Sequence, residues 1–211
     1  MTRLFLWRHG NTDYNATGRV QGQTDVPLNA LGRDQAASAA PLLAALRPDA
    51  LVSSDLSRAA DTAAALSALT GLPVSFDTRL RERHFGTWQG QLMSEIAVGH
   101  PAEHARFRAG DPSPGCEIEN MGDLGKRVVE ALQDAAALAP GGTVVVTTHG
   151  GAARQGCGQL LGWPDEVSRT LGSLHNCHWT ELRDVSASRA GGNPSVGPDW
   201  RMIAHNVGVL A

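Results

Sequence analysis

A chain of 211 residues with a formal charge of -3, 42% apolar and 18% charged residues, has room for one well-cored domain and lacks the broad basic field that nucleic acid or an anionic membrane would select. No apolar run approaches the ~20 residues that span a bilayer, and the short apolar run after Met1-Thr2-Arg3 is too brief for a signal peptide. Cys116, Cys157 and Cys177 are odd in number and widely spaced, which fits free thiols and a cytoplasmic location better than a disulfide framework.

In chain order, residues 3–7 read as a strand, and Asn29 reads as the N-cap of a helix to about residue 46. Residues 50–53 are a short strand candidate, followed by an alanine-rich helix over about 56–69 that Gly71 and Pro73 terminate. Residues 73–76 are a third strand candidate. From Leu80 to about Asn120 the pattern is less regular, with short helical pieces near 92–97 and 102–108, then the turn-rich Gly110-Asp111-Pro112-Ser113-Pro114-Gly115. A long helix over about 121–138 stops at Pro140-Gly141-Gly142. Residues 143–148 are the most strand-like of all, and a helix over about 152–161 follows. Two closing strands, 176–182 and 200–204, are joined by a glycine- and proline-rich loop around 191–198. This alternation predicts an α/β fold, a three-layer α/β/α sandwich around a mainly parallel central sheet, in one domain over 1–211. Ligands in such sheets bind beyond the carboxyl ends of the strands.

Three of those ends carry chemistry. The first strand stops at Arg8-His9-Gly10, the second runs into Ser54-Asp55-Leu56-Ser57-Arg58 at a helix start, and the 143–148 strand runs into His149-Gly150-Gly151, again at a helix start. Arginine offers a planar fork of donors that matches phosphate oxygens, and helix N-termini add aligned N–H groups. The edge is a cradle for a small, highly charged anion. The eight histidines also invite a metal reading. His100 and His104 lie four apart, but Pro101 interrupts the turn; strand alternation would send His175 and Cys177 to one face and His178 to the other. Neither set has a persuasive ligand spacing, so structural or surface roles are expected, with no metal and no cofactor.

Arg8-His9-Gly10, Ser53-Ser54-Asp55-Leu56-Ser57-Arg58-Ala59, Leu80-Arg81-Glu82 with Phe85-Gly86-Thr87-Trp88-Gln89-Gly90, and Thr148-His149-Gly150-Gly151 resemble, in order and spacing, the signatures of the histidine phosphatase superfamily, the phosphoglycerate mutase-like family. The resemblance covers nearly the whole chain. It implies that His9 is a nucleophile forming a phosphohistidine, that Arg8, Arg58 and His149 hold the phosphoryl oxygens, and that Asn15 contacts the phosphate. Glu82 matches the proton donor to the leaving oxygen, a role for which its carboxyl would need a raised pKa. Gln21, Gly22, Arg83 and Gly150 are further candidates for substrate or phosphate binding. Segment 85–120 is expected to form a partial lid, and its shortness favours a metal-independent phosphatase of a small phosphorylated metabolite, a phosphorylated sugar or phosphoglycerate derivative. Against this, Glu82-Arg83-His84-Phe85-Gly86 is close to the mutase form, whose arginine contacts a carboxylate; Arg83 as a surface charge is an equal reading. A phosphoglycerate mutase is the alternative, with a phosphohistidine protein phosphatase behind it. The family also implies a homodimer, although no apolar interface stands out in the sequence. Within the superfamily, His9-Gly10-Asn11-Thr12-Asp13-Tyr14-Asn15, Gln21-Gly22-Gln23, Asp77-Thr78-Arg79-Leu80-Arg81-Glu82 and Asn176-Cys177-His178-Trp179-Thr180-Glu181-Leu182 are most similar to glucosyl-3-phosphoglycerate phosphatases. The chain departs from that pattern at Asn11 and at Cys116-Glu117-Ile118-Glu119.

Overall fold

The computed structural model describes residues 1–186 and 199–209. Strands β1 (Arg3–Arg8), β2 (Ala50–Ser53), β3 (Val74–Phe76), β4 (Thr143–Thr148), β5 (Trp179–Asp184) and β6 (Trp200–Val207) form one sheet in the order β3-β2-β4-β1-β5-β6. β3, β2, β4 and β1 are mutually parallel, while β5 runs antiparallel to β1 and β6 antiparallel to β5. The helices are α1 (Asp13–Thr17), α2 (Ala30–Ala44), α3 (Ser57–Thr70), α4 (Met93–Gly99), α5 (Pro101–Ala109), α6 (Met121–Ala137), α7 (Gly150–Leu160) and α8 (Asp165–Ser168).

Period-two alternation along β1 divides the core. Leu4 and Leu6 join Val144, Val146 and Leu182 against Leu124, Val128 and Leu132 of α6 and Cys157 and Leu160 of α7. Phe5 and Trp7 point the other way, with Val145 and Leu51, onto Ala36, Ala39 and Leu43 of α2 and Leu66 of α3. The sheet is therefore covered on both faces, as expected for a three-layer sandwich. A smaller cluster of Trp88, Ile96 and Ile118 lies under segment 85–120.

Local chemistry accounts for the differences from the predicted elements. α1 was not visible in the hydrophobic pattern because it is five residues long and buries none of them. It exists through its ends: Thr12 and Asn15 form a capping box, and Gly18 closes it at φ 72. α7 begins at Gly150 rather than 152, since His149 in extended conformation already serves as its N-cap. Residues 176–178 precede β5 in a turn, with Cys177 at φ 57, so strand alternation does not govern His175, Cys177 and His178. Both histidine rings instead line one cavity, with centroids 5.2 Å apart. The predicted loop around 191–198 lies outside the described residues.

Candidate active site

In the sheet order, β4 is flanked by β2 and β1, and all three are parallel, so their carboxyl ends open at one place. Arg8 and His9 leave β1, Ser54 and Arg58 follow β2, and His149 follows β4. His9, Arg58 and His149 are 2%, 1% and 0% exposed. The His9 and His149 ring centroids stand 5.1 Å apart.

The His9 ring proton follows from its hydrogen bond. His9 Nδ1 lies 2.7 Å from the Gly10 carbonyl oxygen, which can only accept, so Nδ1 carries the proton and Nε2 keeps its lone pair. His149 Nε2 lies 2.9 Å from Ser54 Oγ. That hydroxyl can donate or accept; taken as the donor, it places the ring proton on His149 Nδ1, which has no partner among the described residues. Burial holds both imidazoles well below their ordinary value of 6.5, and the Arg8 and Arg58 guanidinium groups push them further in the same direction. Both are neutral at working pH.

The two cations are anchored from behind. Arg58 donates Nη1 to Thr24 O and Nη2 to Gly22 O, each at 2.8 Å, and Arg8 donates Nη1 to Leu174 O at 2.6 Å. Burial pulls the Arg58 guanidinium down to about 10, with Glu82 and Asp25 opposing, which leaves it charged. Arg8 Nε and Arg58 Nε are buried and unpartnered among the described residues, like His149 Nδ1. An unmet buried donor costs about 1–3 kcal/mol, and more when charged. The cradle thus keeps three donors free at a substantial energetic cost, which an oxyanion would relieve.

Glu82 lines a cleft of about 220 Å³ beside this cradle, together with Arg8, Gly150, Gly151 and Arg154. Its Oε1 accepts from the main-chain N–H of Arg83 and Ala152, and its Oε2 from that of Gly151, at 2.8–2.9 Å. Two of these donors belong to the first turn of α7, whose positive end faces the carboxylate. A Cβ on Gly151 would stand 2.5 Å from Glu82 Oε1, so only glycine permits this approach. Behind Glu82, Arg127 of α6 donates to the Arg79, Arg81 and Glu82 carbonyls and forms a two-pronged pair with Glu119.

The remaining sequence candidates divide. Gly150 lines the cleft, and a Cβ there would meet Arg8 Nε at an ordinary 3.5 Å. Asn15 Oδ1 accepts from Asn176, whose amide also donates to His9 O, which ties Asn15 to the His9 backbone. Gln21 Oε1 accepts from the Thr12 hydroxyl, and Gly22 presents its carbonyl to Arg58 from outside the cradle. Arg83 is neither a surface charge nor open to the cleft. It is 2% exposed and donates Nε to Glu119 O and Nη2 to Pro112 O, across from the Phe85 and Phe107 rings. Four residues were missed: Ser54, Arg127, Arg154 and Asn176. Arg127 left a trace, since it occupies the apolar stripe of α6 next to Leu124 and Val128. Arg154 stands one helical turn beyond Gly150, a spacing that puts a cation on the cleft side of α7. Of the histidines weighed for metal, His100 Nδ1 lies 3.6 Å from Cys116 Sγ, and with Glu103 the donor atoms fall within 4.8 Å of one another, on segment 85–120 rather than at the sheet edge.

Comparison with known proteins bears on this arrangement. The sequence model of the histidine phosphatase superfamily, branch 1, matches residues 4–188. A glucosyl-3-phosphoglycerate phosphatase of Mycolicibacterium vanbaalenii is 39% identical over 213 residues, 97% of this chain and 94% of its own. A metal-independent phosphoserine phosphatase of Arabidopsis thaliana is 37% identical over 161 residues, 73% of this chain and 66% of its own. The structure of a mycobacterial glucosyl-3-phosphoglycerate phosphatase with VO3 superposes at a TM-score of 0.85 and 36% identity, over 97% of this chain and 98% of that one. With the family model spanning most of the sequence and the four signature blocks gathered at one sheet edge, the chain belongs to the histidine phosphatase superfamily, branch 1.

Proposed function

We propose that the protein hydrolyses a small phosphomonoester, a phosphorylated sugar or phosphoglycerate derivative, through a phosphohistidine on His9. The observation that carries this reading is the set of three buried, unpartnered donors around a neutral histidine: Arg8 Nε, Arg58 Nε and His149 Nδ1. A phosphoryl group supplies the acceptor oxygens they lack, and the guanidinium charges offset the dianion that otherwise repels a nucleophile.

In the first step the His9 Nε2 lone pair attacks phosphorus, forming an N–P bond as the ester O–P bond breaks. Glu82 gives the departing alkoxide a proton. In the second step Glu82, now a carboxylate, takes a proton from water, whose oxygen displaces His9 and releases inorganic phosphate. The main-chain anchoring of Glu82 fixes the carboxyl where the leaving oxygen and the incoming water must pass, and its three N–H donors suit the carboxylate of the second step. Arg8, Arg58 and His149 hold the phosphoryl oxygens in both steps. Asn15 acts through Asn176 on the His9 backbone, Gly150 shapes the cleft, Gln21 and Gly22 brace the cradle, and Arg83 holds segment 85–120 as a partial cover. The chain works as one domain, and its three free cysteines support a cytoplasmic setting. No helix among the described residues is long and apolar enough to cross a membrane.

The test is phosphate release from glucosyl-3-phosphoglycerate, 3-phosphoglycerate, sugar phosphates and a phosphohistidine peptide, in EDTA, with His9→Ala as control. Turnover of a metabolite ester by the wild type, no turnover by His9→Ala, and acid-labile phosphate retained only on the wild type are expected. Interconversion of 2- and 3-phosphoglycerate without release makes the protein a mutase. Labelled phosphate retained by His9→Ala overturns the mechanism.

A further inference from the structure

Segment 85–120 brings together three side chains that the reaction does not use. His100 is the N-cap of α5, Pro101 opens the helix, and Glu103 is its third residue, so the two side chains share the first turn. Cys116 reaches them from the chain beyond α5. Its Sγ lies 3.6 Å from His100 Nδ1, and the sulfur, the ring nitrogen and a Glu103 carboxylate oxygen all fall within 4.8 Å of one another. The sequence spacing argued against His100 and His104 as a ligand pair; the fold gives His100 two different companions. Backbone geometry lets the turn close on the helix. Gly115 stands at φ 110, where a Cβ would meet Glu103 Cγ at 3.2 Å, and Cys116 and Glu117 follow it in the left-handed region at φ 55 and 58.

A thiol, an imidazole and a carboxylate at this spacing are a donor set for a borderline-soft divalent ion. Zn–S of about 2.3 Å and Zn–N of about 2.0–2.1 Å at a tetrahedral angle put sulfur and nitrogen about 3.5–3.6 Å apart, which matches the 3.6 Å between Cys116 and His100. A thiol–imidazole hydrogen bond would account for that approach but not for the carboxylate, whose partner Arg106 stands off at 4.0 Å. All three groups are half-buried, which leaves a path for an ion and room for water as a fourth ligand. We propose that His100 Nδ1, Glu103 and Cys116 Sγ form a zinc-class metal site in segment 85–120, outside the phosphate cradle. On binding, Cys116 releases its thiol proton to solvent and ligates as thiolate, while His100 ligates as the neutral ring. The ion ties α5 to the turn that leads into Glu119, which pairs with Arg127 and through it reaches the Glu82 carbonyl. Its role is to brace a segment with a small apolar core, and no step of the phosphoryl transfer passes through it.

The probe is Zn²⁺ alone, titrated by calorimetry into the full chain after EDTA treatment and dialysis, with a thiol-free reductant present. The wild type is expected to bind one ion per chain, and Zn²⁺ at about 100 times its Kd should raise Tm by about 5–10 °C. Co²⁺ in its place should give thiolate-to-metal charge-transfer absorption; Cys157 and Cys177 are buried, which leaves Cys116 as the thiolate within reach. Cys116→Ser and His100→Gln should each weaken Zn²⁺ by more than the roughly 10- to 100-fold that loss of an outer-shell partner costs. His175→Gln, which alters the other close pair of imidazoles, should bind as the wild type does. Urea unfolding in EDTA should be the same for all variants, which separates a lost ligand from a damaged fold. No binding by the wild type, a cobalt spectrum without the thiolate band, undiminished affinity in Cys116→Ser and His100→Gln, or a site lost in His175→Gln overturns the proposal. The cobalt band is read on the wild type, so the site is tested even where a variant fails to fold.

Discussion

The proposed phosphate cradle and segment 85–120 are held by different forces. Each cradle side chain leaves a strand end or a helix start whose neighbours are core residues, and His9, Arg58 and His149 are as buried as the leucines of β1. Segment 85–120 packs three side chains, Trp88, Ile96 and Ile118, as its buried apolar cluster, with Pro114 also buried, and α5 buries none. Three such side chains contribute about 1.5–3 kcal/mol each, far less than the ordering cost of about 1–2 kcal/mol per residue over the segment. Polar ties make up part of the difference: Arg83 to two carbonyls, and Arg127 to Glu119 and the Glu82 strand of chain. The contrast teaches that the chemistry is set by the core, while the cover can be rebuilt by changing a few side chains. The departure from the related phosphatases at 116–119 falls in the second region.

Four changes break or sharpen this contrast. Glu82→Gln, at the border of the two regions, is expected to lower kcat on alkyl phosphates by about 10²–10⁴ and to spare p-nitrophenyl phosphate, whose leaving group departs without a proton. Equal slowing on both esters would remove Glu82 from the acid role. Arg58→Ala, inside the cradle, should lower kcat by about 10²–10³ and raise KM together, because its charge acts in ground and transition states alike. A change in KM alone would confine Arg58 to binding. Arg127→Met, which cuts the ties of the cover, should destabilise the protein by about 2–3 kcal/mol in urea unfolding, and a variant as stable as the wild type would mean that the segment is anchored elsewhere.

The smallest effect is on pH dependence. The folded state holds His9 and His149 well below 6.5, so below that pH the unfolded chain binds protons that the native cradle refuses. Stability is full above 6.5 and declines as pH falls toward the depressed folded values. His9→Gln should therefore show a shallower drop in Tm between pH 6.5 and 5 than the wild type. Parallel curves would show that the cradle does not exclude protons from His9.

Much of this protein is written in short-range patterns. Apolar alternation in residues 3–7 and 143–148, helix stops at Gly71 and Pro140, and the glycines after His9 and His149 suffice to predict a parallel sheet with an anion site at its carboxyl edge, because strand period, capping and close backbone approach are properties of neighbouring residues. The four signature blocks add the family. Tertiary structure decided the rest. A sequence cannot show that Arg83 turns into the main chain at Pro112 and Glu119 while Arg154 stays unpaired at the cleft, since both are arginines near a motif and differ only in which carbonyls surround them. Nor can it show which nitrogen of His9 keeps its lone pair, or that three N–H groups converge on Glu82 from residues as distant as Ala152. Local pattern determines what an element is; only packing determines which donors remain without acceptors, and in this protein those unmet donors define the site.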